Sequence, residues 1–176
     1  ASSALFAGSY TVDTSHSNVG FSVKHMMITN VSGKFNDVSG TFEYDEKTNT
    51  LKALEGEIIV ASIDTANEER DTHLKQEDIF NAPKFPKITF KLTKVDGDKA
   101  FGDLTMKGIT KNIELDLENG GTVTDPWGKQ RAGFELEGKI SRKDFDITWN
   151  KVLEAGGVAV GDTVKLKIAM EGVLVK

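Results

Sequence analysis

The sequence predicts an all-β chain folded as an antiparallel barrel of eight or nine strands with one short helical crossover. Three observations predict it. Apolar and polar residues alternate with period two along most of the chain, as in Val19-Gly20-Phe21-Ser22-Val23-Lys24-His25. Turn-like pairs such as Asp96-Gly97, Gly120-Gly121 and Gly156-Gly157 separate the alternating runs. One stretch, from Thr65 to Gln76, breaks the pattern. So many strands in one domain make a barrel or a sandwich, and a closed barrel leaves no edge to protect.

Taken in order, residues 1–9 are small or apolar and carry no charged side chain, and Ala4-Leu5-Phe6-Ala7 resembles the end of a secretory signal. They are read as a signal remnant or a disordered N-terminus, and residues 10–176 as the barrel. Strands are expected at Tyr10–Val12, 19–25, 31–44, 52–63, 87–95, 98–107, 109–118, 131–141 and 162–174. Thr65-Ala66-Asn67-Glu68 fits a capping box, so a polar helix starts there, with Leu74 as its large apolar anchor. Pro83 and Pro86 end the helical segment and lead back into a strand.

Successive strand residues point to opposite sides, so each run divides into an apolar face and a charged one. Glu55, Glu57, Glu114, Asp116, Glu135, Glu137, Lys165 and Lys167 mark the wet outside. The apolar face repeatedly carries glycine: Gly40 with Val38 and Phe42, Gly56 with Leu54 and Ile58, Gly102 with Leu104 and Met106, Gly138 with Phe134 and Leu136, and Gly172 with Ile168 and Met170. A glycine there withholds a side chain from the core. One could mark a bulge, but five together predict an unfilled apolar interior that takes a hydrophobic ligand.

Composition narrows the function. The 176 residues suffice for one core without disulfides, and there is no cysteine. A net charge of −5 and a pI near 5.3 argue against nucleic acid, no basic cluster suggests an anionic membrane surface, and no apolar stretch reaches the roughly 20 residues of a transmembrane span. His16, His25 and His73 lack metal-ligand spacing, so no metal site is expected. No nucleophile elbow, phosphate loop or thiol is present, so no catalytic residue and no cofactor are assigned.

The motifs then resemble a family. Tyr10-Thr11-Val12-Asp13 and His16 to His25, followed by Ala61-Ser62-Ile63-Asp64-Thr65, Arg70-Asp71-Thr72-His73-Leu74 and Phe85-Pro86-Lys87-Ile88-Thr89-Phe90, are similar to the YceI-like, polyisoprenoid-binding proteins. Gly102 to Lys111 and Arg131-Ala132-Gly133-Phe134 extend the match in family order. One departure is Asp144-Phe145-Asp146, where the family commonly has glycine after the phenylalanine. The resemblance implies an eight-stranded lipocalin-like barrel, exported to the periplasm, that holds a polyprenyl phosphate, an isoprenoid quinone or a fatty-acid derivative; some members form homodimers.

Strand parity assigns the pore lining. On the early strands it selects Phe21, Val23, Phe42, Ile58 and Val60, with His25 at the rim, and on the middle ones Phe90, Leu92, Leu104 and Met106. Phe134, Leu136, Leu166 and Ile168 complete it. Strands of about ten residues at roughly 3.3 Å each, tilted about 40°, enclose a pore on the order of 25 Å long. Two other readings stay open: a packed barrel acting through its loops as a stress or redox-partner scaffold, and an enzyme acting on lipids. Trp127 and Trp149, in irregular stretches, would serve the first by anchoring a partner, or else cover a barrel end.

Overall fold

Alternation sends one set of side chains inward and the other outward, and the register closes the sheet on itself. The computed structural model describes residues 7–153 and 156–175. Its strands are β1 (Ala7–Val12), β2 (Asn18–His25), β3 (Thr29–Phe35), β4 (Val38–Asp45), β5 (Thr50–Ile59), β6 (Ile63–Asp64), β7 (Lys87–Asp96), β8 (Lys99–Met106), β9 (Ile109–Thr124), β10 (Gln130–Ser141) and β11 (Val160–Leu174). The antiparallel order runs β1-β4-β5-β7-β8-β9-β10-β11, and β1 pairs with β11 to close the ring. The first half of β11 pairs with β2, β2 with β3, and β3 with β6. β1–β2, β3–β4 and β5–β6 therefore act as three bent strands, and the barrel has eight staves.

The bends explain why the runs 31–44 and 52–63 are each two strands. Val60–Ser62 forms a 3-10 turn, and the chain kinks at Asn36-Asp37. The two bends bond to each other: Asn36 N donates to Ser62 O at 3.1 Å, Asp37 N to Ser62 Oγ at 2.9 Å, and Ile59 N to Asp37 O at 3.0 Å. At the start of the chain, β1 begins at Ala7 rather than Tyr10, because Ala7, Gly8 and Ser9 pair with Asp45, Tyr44 and Glu43 through backbone groups alone. Residues 1–6, the rest of the expected signal remnant, lie outside the described residues.

The helix α1 (Glu68–Leu74) is capped by Asn67, whose side-chain oxygen accepts from Arg70 N at 3.0 Å, and not by Thr65. Thr65 is buried and does something else. Its N–H and hydroxyl donate to Asp71 Oδ1 at 2.9 and 2.5 Å, while Arg70 Nε and Nη2 donate to its hydroxyl and carbonyl oxygens at 2.8 and 2.6 Å. This knot ties α1 to β6.

One barrel end is plugged. Tyr10, Phe42, Tyr44, Leu51 and Phe134 are at most 2% exposed. Tyr10 stacks on Phe42 with centroids 5.1 Å apart, and Phe42 meets Phe134 edge-on at 5.0 Å. The buried phenols find partners: Tyr44 Oη donates to Asn49 Oδ1 at 2.6 Å, and Tyr10 Oη accepts from Gln130 Nε2 at 2.9 Å. Arg131 clamps the outside of this end, with Nη1 donating to Asp13 Oδ2 and Glu171 Oε2 at 2.8 and 3.0 Å, and Nε to Asp125 Oδ2 at 2.9 Å.

Candidate functional site

The other end is hollow. A cavity of about 710 Å³ lies between the inner barrel wall, α1 and the loop that follows β10. Its wall is apolar. Phe21, Val23, Ile58, Phe90, Leu166 and Ile168 face inward yet remain partly exposed, because the space they face is unfilled. Leu104, Met106 and Leu136 form deeper wall, and Leu74 and Phe80 roof it from the crossover. Polar groups gather at the mouth, where Lys24, His25, Arg70, His73 and Lys151 contribute to the lining.

Ten of the fourteen residues chosen by strand parity therefore meet at this cavity: Phe21, Val23, His25, Ile58, Phe90, Leu104, Met106, Leu136, Leu166 and Ile168. Phe42 and Phe134 do not, since they are half of the aromatic plug. Val60 is buried elsewhere, because it lies in the 3-10 turn where strand parity ends, with its N–H bonded to Pro86 O at 2.9 Å. Leu92 pairs with Gly102 beside a register shift and packs into the filled part of the core.

The glycines require a sharper correction. Gly56 lines the cavity, and a Cβ built there would meet only Ser39 O, 3.9 Å away. The other four are seats for neighbouring groups. A Cβ at Gly102 would strike the Phe90 ring, and one at Gly172 the Phe42 ring. At Gly138 it would come within 2.5 Å of Leu115 Cδ2, and at Gly40 within 2.6 Å of Glu55 O. These four glycines accommodate rings, a leucine and backbone; they do not open the pore.

Two contributors carry little sequence signal. Arg142 is 5% exposed, and its guanidinium donates to four backbone carbonyls: Nε to Gly161 O, Nη1 to Ile147 O and Trp149 O, each at 2.8 Å, and Nη2 to Val160 O at 3.3 Å. Burial pushes the guanidinium below its ordinary pKa, and Asp162 at 3.7 Å opposes that. The hub folds the loop after β10 over the cavity. Asp146, at the position of the family's glycine, keeps the left-handed turn at φ 58°. The loop carries Trp149 to the mouth, edge-on to His73 with centroids 5.0 Å apart, and His73 Nε2 lies 2.9 Å from Asp78 Oδ2. Trp127, by contrast, is 80% exposed in the β9–β10 turn at the plugged end.

Asp13, His16 and Glu171 bring three ligand atoms within 4.8 Å of one another. Arg131 already supplies the cation they surround. Hydrogen bonds from Ser15, then His16 and Arg131, hold the Asp13 carboxyl far below its ordinary range. This is a clamp on β1, β10 and β11.

The family model of the YceI-like domain matches residues 10–172. The chain belongs to the YceI-like family. Among its relatives, a UPF0312 protein of Staphylococcus aureus is 41% identical over 164 residues, covering 92% of this chain and 95% of its own. The YceI protein of Campylobacter jejuni, 37% identical, superposes with a TM-score of 0.73 over 87% of this chain and 90% of its own. A polyisoprenoid binding domain from Saccharophagus degradans shares the fold at 14% identity, with a TM-score of 0.70 over 94% and 98% of the two chains. Among the described residues, no helix is long and apolar enough to cross a membrane.

Proposed function

We propose that this YceI-like chain binds and carries or sequesters a long-chain amphiphile: a polyisoprenoid such as a polyprenyl phosphate or isoprenoid quinone, or a fatty-acid derivative. The observation that carries the reading is the apolar cavity of about 710 Å³ whose inward side chains are left half-buried. Exposed apolar surface facing a void is costly in water, and a hydrocarbon tail relieves it at about 0.8 kcal/mol per buried methylene. The polyisoprenoid binding domain of the same fold supports the isoprenoid class. Export to the periplasm belongs to the same proposal and draws on the family resemblance alone. We read binding and not catalysis from the polarity pattern, because the wall is aliphatic and aromatic, the one buried charge in the described lining, Arg142, spends its donors on backbone carbonyls, and the other charged groups lie at the mouth.

Volume sets the reach. At about 30 Å³ per water-sized group, the cavity's 710 Å³ takes on the order of 20 carbons, or about four isoprene units. The aromatic plug stops the pore from running the full barrel, so longer tails emerge at the mouth beside Lys24, Arg70 and Lys151. Titration with polyprenyl phosphates of increasing length tests this. Affinity should rise steeply up to about four or five units and then level off; an affinity independent of length from two units upward would overturn the reading.

A further inference from the structure

The residues that shape the mouth also build an apolar prow outside it. The β2–β3 hairpin turns through Met26, Met27 and Ile28, which are 45%, 57% and 80% exposed, and Val152 on the facing loop is 84% exposed. Elsewhere among the described residues, the large exposed hydrophobics Val123, Trp127 and Val175 lie toward the plugged end. The hairpin and the facing loop that carry these four residues are joined to each other. Met26 N donates to Ala159 O at 2.9 Å, Val152 bridges to Val158, and Met27 lies so close over Gly157 that a Cβ there would strike its sulfur.

The choice of residues is not dictated by the turn. Met26 and Met27 stand at φ 48° and 64°, the left-handed region that glycine, asparagine and aspartate enter with less strain. Two thioethers held there in water make neither a core nor a preferred turn. Lys24 and Lys151 flank the prow, are exposed, and have no ion pair among the described residues; of the acids nearby, Glu57 and Asp162 are paired with Lys87 and Lys143, while Glu69, across the mouth on α1, also stands without an ion pair among the described residues. Met26, Lys24 and Lys151 also line the cavity, so the prow and the mouth are continuous.

We propose that this prow docks the barrel mouth-down on an anionic lipid bilayer, with Met27, Ile28 and Val152 entering the interface and Lys24 and Lys151 meeting lipid phosphates. An acidic protein thereby presents an apolar rim that carries Lys24 and Lys151 to the surface from which a tail would be drawn. The inference rests on the proposed lipid-binding function.

The test compares the full chain with a Met27→Ser/Ile28→Ser variant in co-sedimentation with vesicles of phosphatidylcholine alone or with phosphatidylglycerol. Uptake of a water-soluble, short-chain fluorescent amphiphile is measured in parallel. Docking predicts sedimentation with the anionic vesicles, weakened about tenfold or more by the two serines and by high salt, with amphiphile uptake unchanged. Equal sedimentation of both chains, or none by the wild type, overturns the docking. So does a wild-type dimer that the serines convert to a monomer without any vesicle binding, since the prow would then bury against a second copy. Failure of both chains to take up the amphiphile instead strikes the lipid-binding reading itself.

Discussion

Replacing Gly56 with phenylalanine separates an open cavity from a packed barrel. A Cβ at this position meets only Ser39 O at 3.9 Å, so the new ring extends into the void between Leu54, Ile58 and Phe90. It displaces roughly seven methylene-sized groups of a bound tail, worth about 5–6 kcal/mol at about 0.8 kcal/mol each. If the tail recovers half by sliding toward the mouth, the remaining loss of about 3 kcal/mol still weakens binding by about a hundredfold. Folding should not suffer, because a strand glycine is removed and apolar space is filled. Gly172→Ala is the control. Its methyl would strike the Phe42 ring in the aromatic plug, and overpacking there costs about 1–3 kcal/mol at a residue that does not line the cavity. Fluorescence titration with a geranylgeranyl probe and thermal unfolding of both variants read the two effects separately. A folded Gly56→Phe chain that binds the probe within about twofold of wild type would refute the reasoning.

Other expectations follow from the loop and the clamp. Arg142→Lys leaves at least one of the four carbonyls without a donor, because an ammonium has only three N–H groups, so stability should fall by about 1–3 kcal/mol in urea unfolding, with the loop carrying Trp149 opening first under hydrogen exchange. Asp146→Gly should raise stability by up to about 1 kcal/mol, since glycine adopts φ 58° without strain. In a Trp127→Phe background, Trp149 emission should shift on ligand uptake, whereas in Trp149→Phe the exposed Trp127 should stay silent. The depressed Asp13 carboxyl contributes stability that is present above its unfolded pKa of about 3.9. That contribution is lost as pH falls below this value toward the folded one, so Asp13→Asn should flatten the acid limb of a stability–pH curve.

Much of this was legible because a barrel repeats one rule. Period two placed Phe21, Val23, Leu166 and Ile168 on one wall, and the same parity extends to Val19, Val31, Ile113 and Val164, which also line the cavity. The rule stopped where the backbone left the strand. Val60 sits in a 3-10 turn, and the kinks at Asn36 and Val60 are made by bonds between distant segments, which no local pattern encodes. Nor could parity say how far along the pore a residue lies, so Phe42 and Phe134 fell in the plug. The glycine pattern pointed to a cavity largely for the wrong reason. Four of the five glycines make room for Phe90, Phe42, Leu115 and backbone, and only Gly56 faces the void. Arg142 was invisible because its partners are carbonyls, which every sequence has.

The most direct measurement is organic extraction of the purified protein followed by mass spectrometry, with a matched blank from the same host, and then loading with added polyprenyl phosphate. The account predicts about one long-chain amphiphile per barrel, either recovered as purified or taken up on loading. An extract empty of such molecules, together with no uptake of the added lipid by the folded chain, would contradict it.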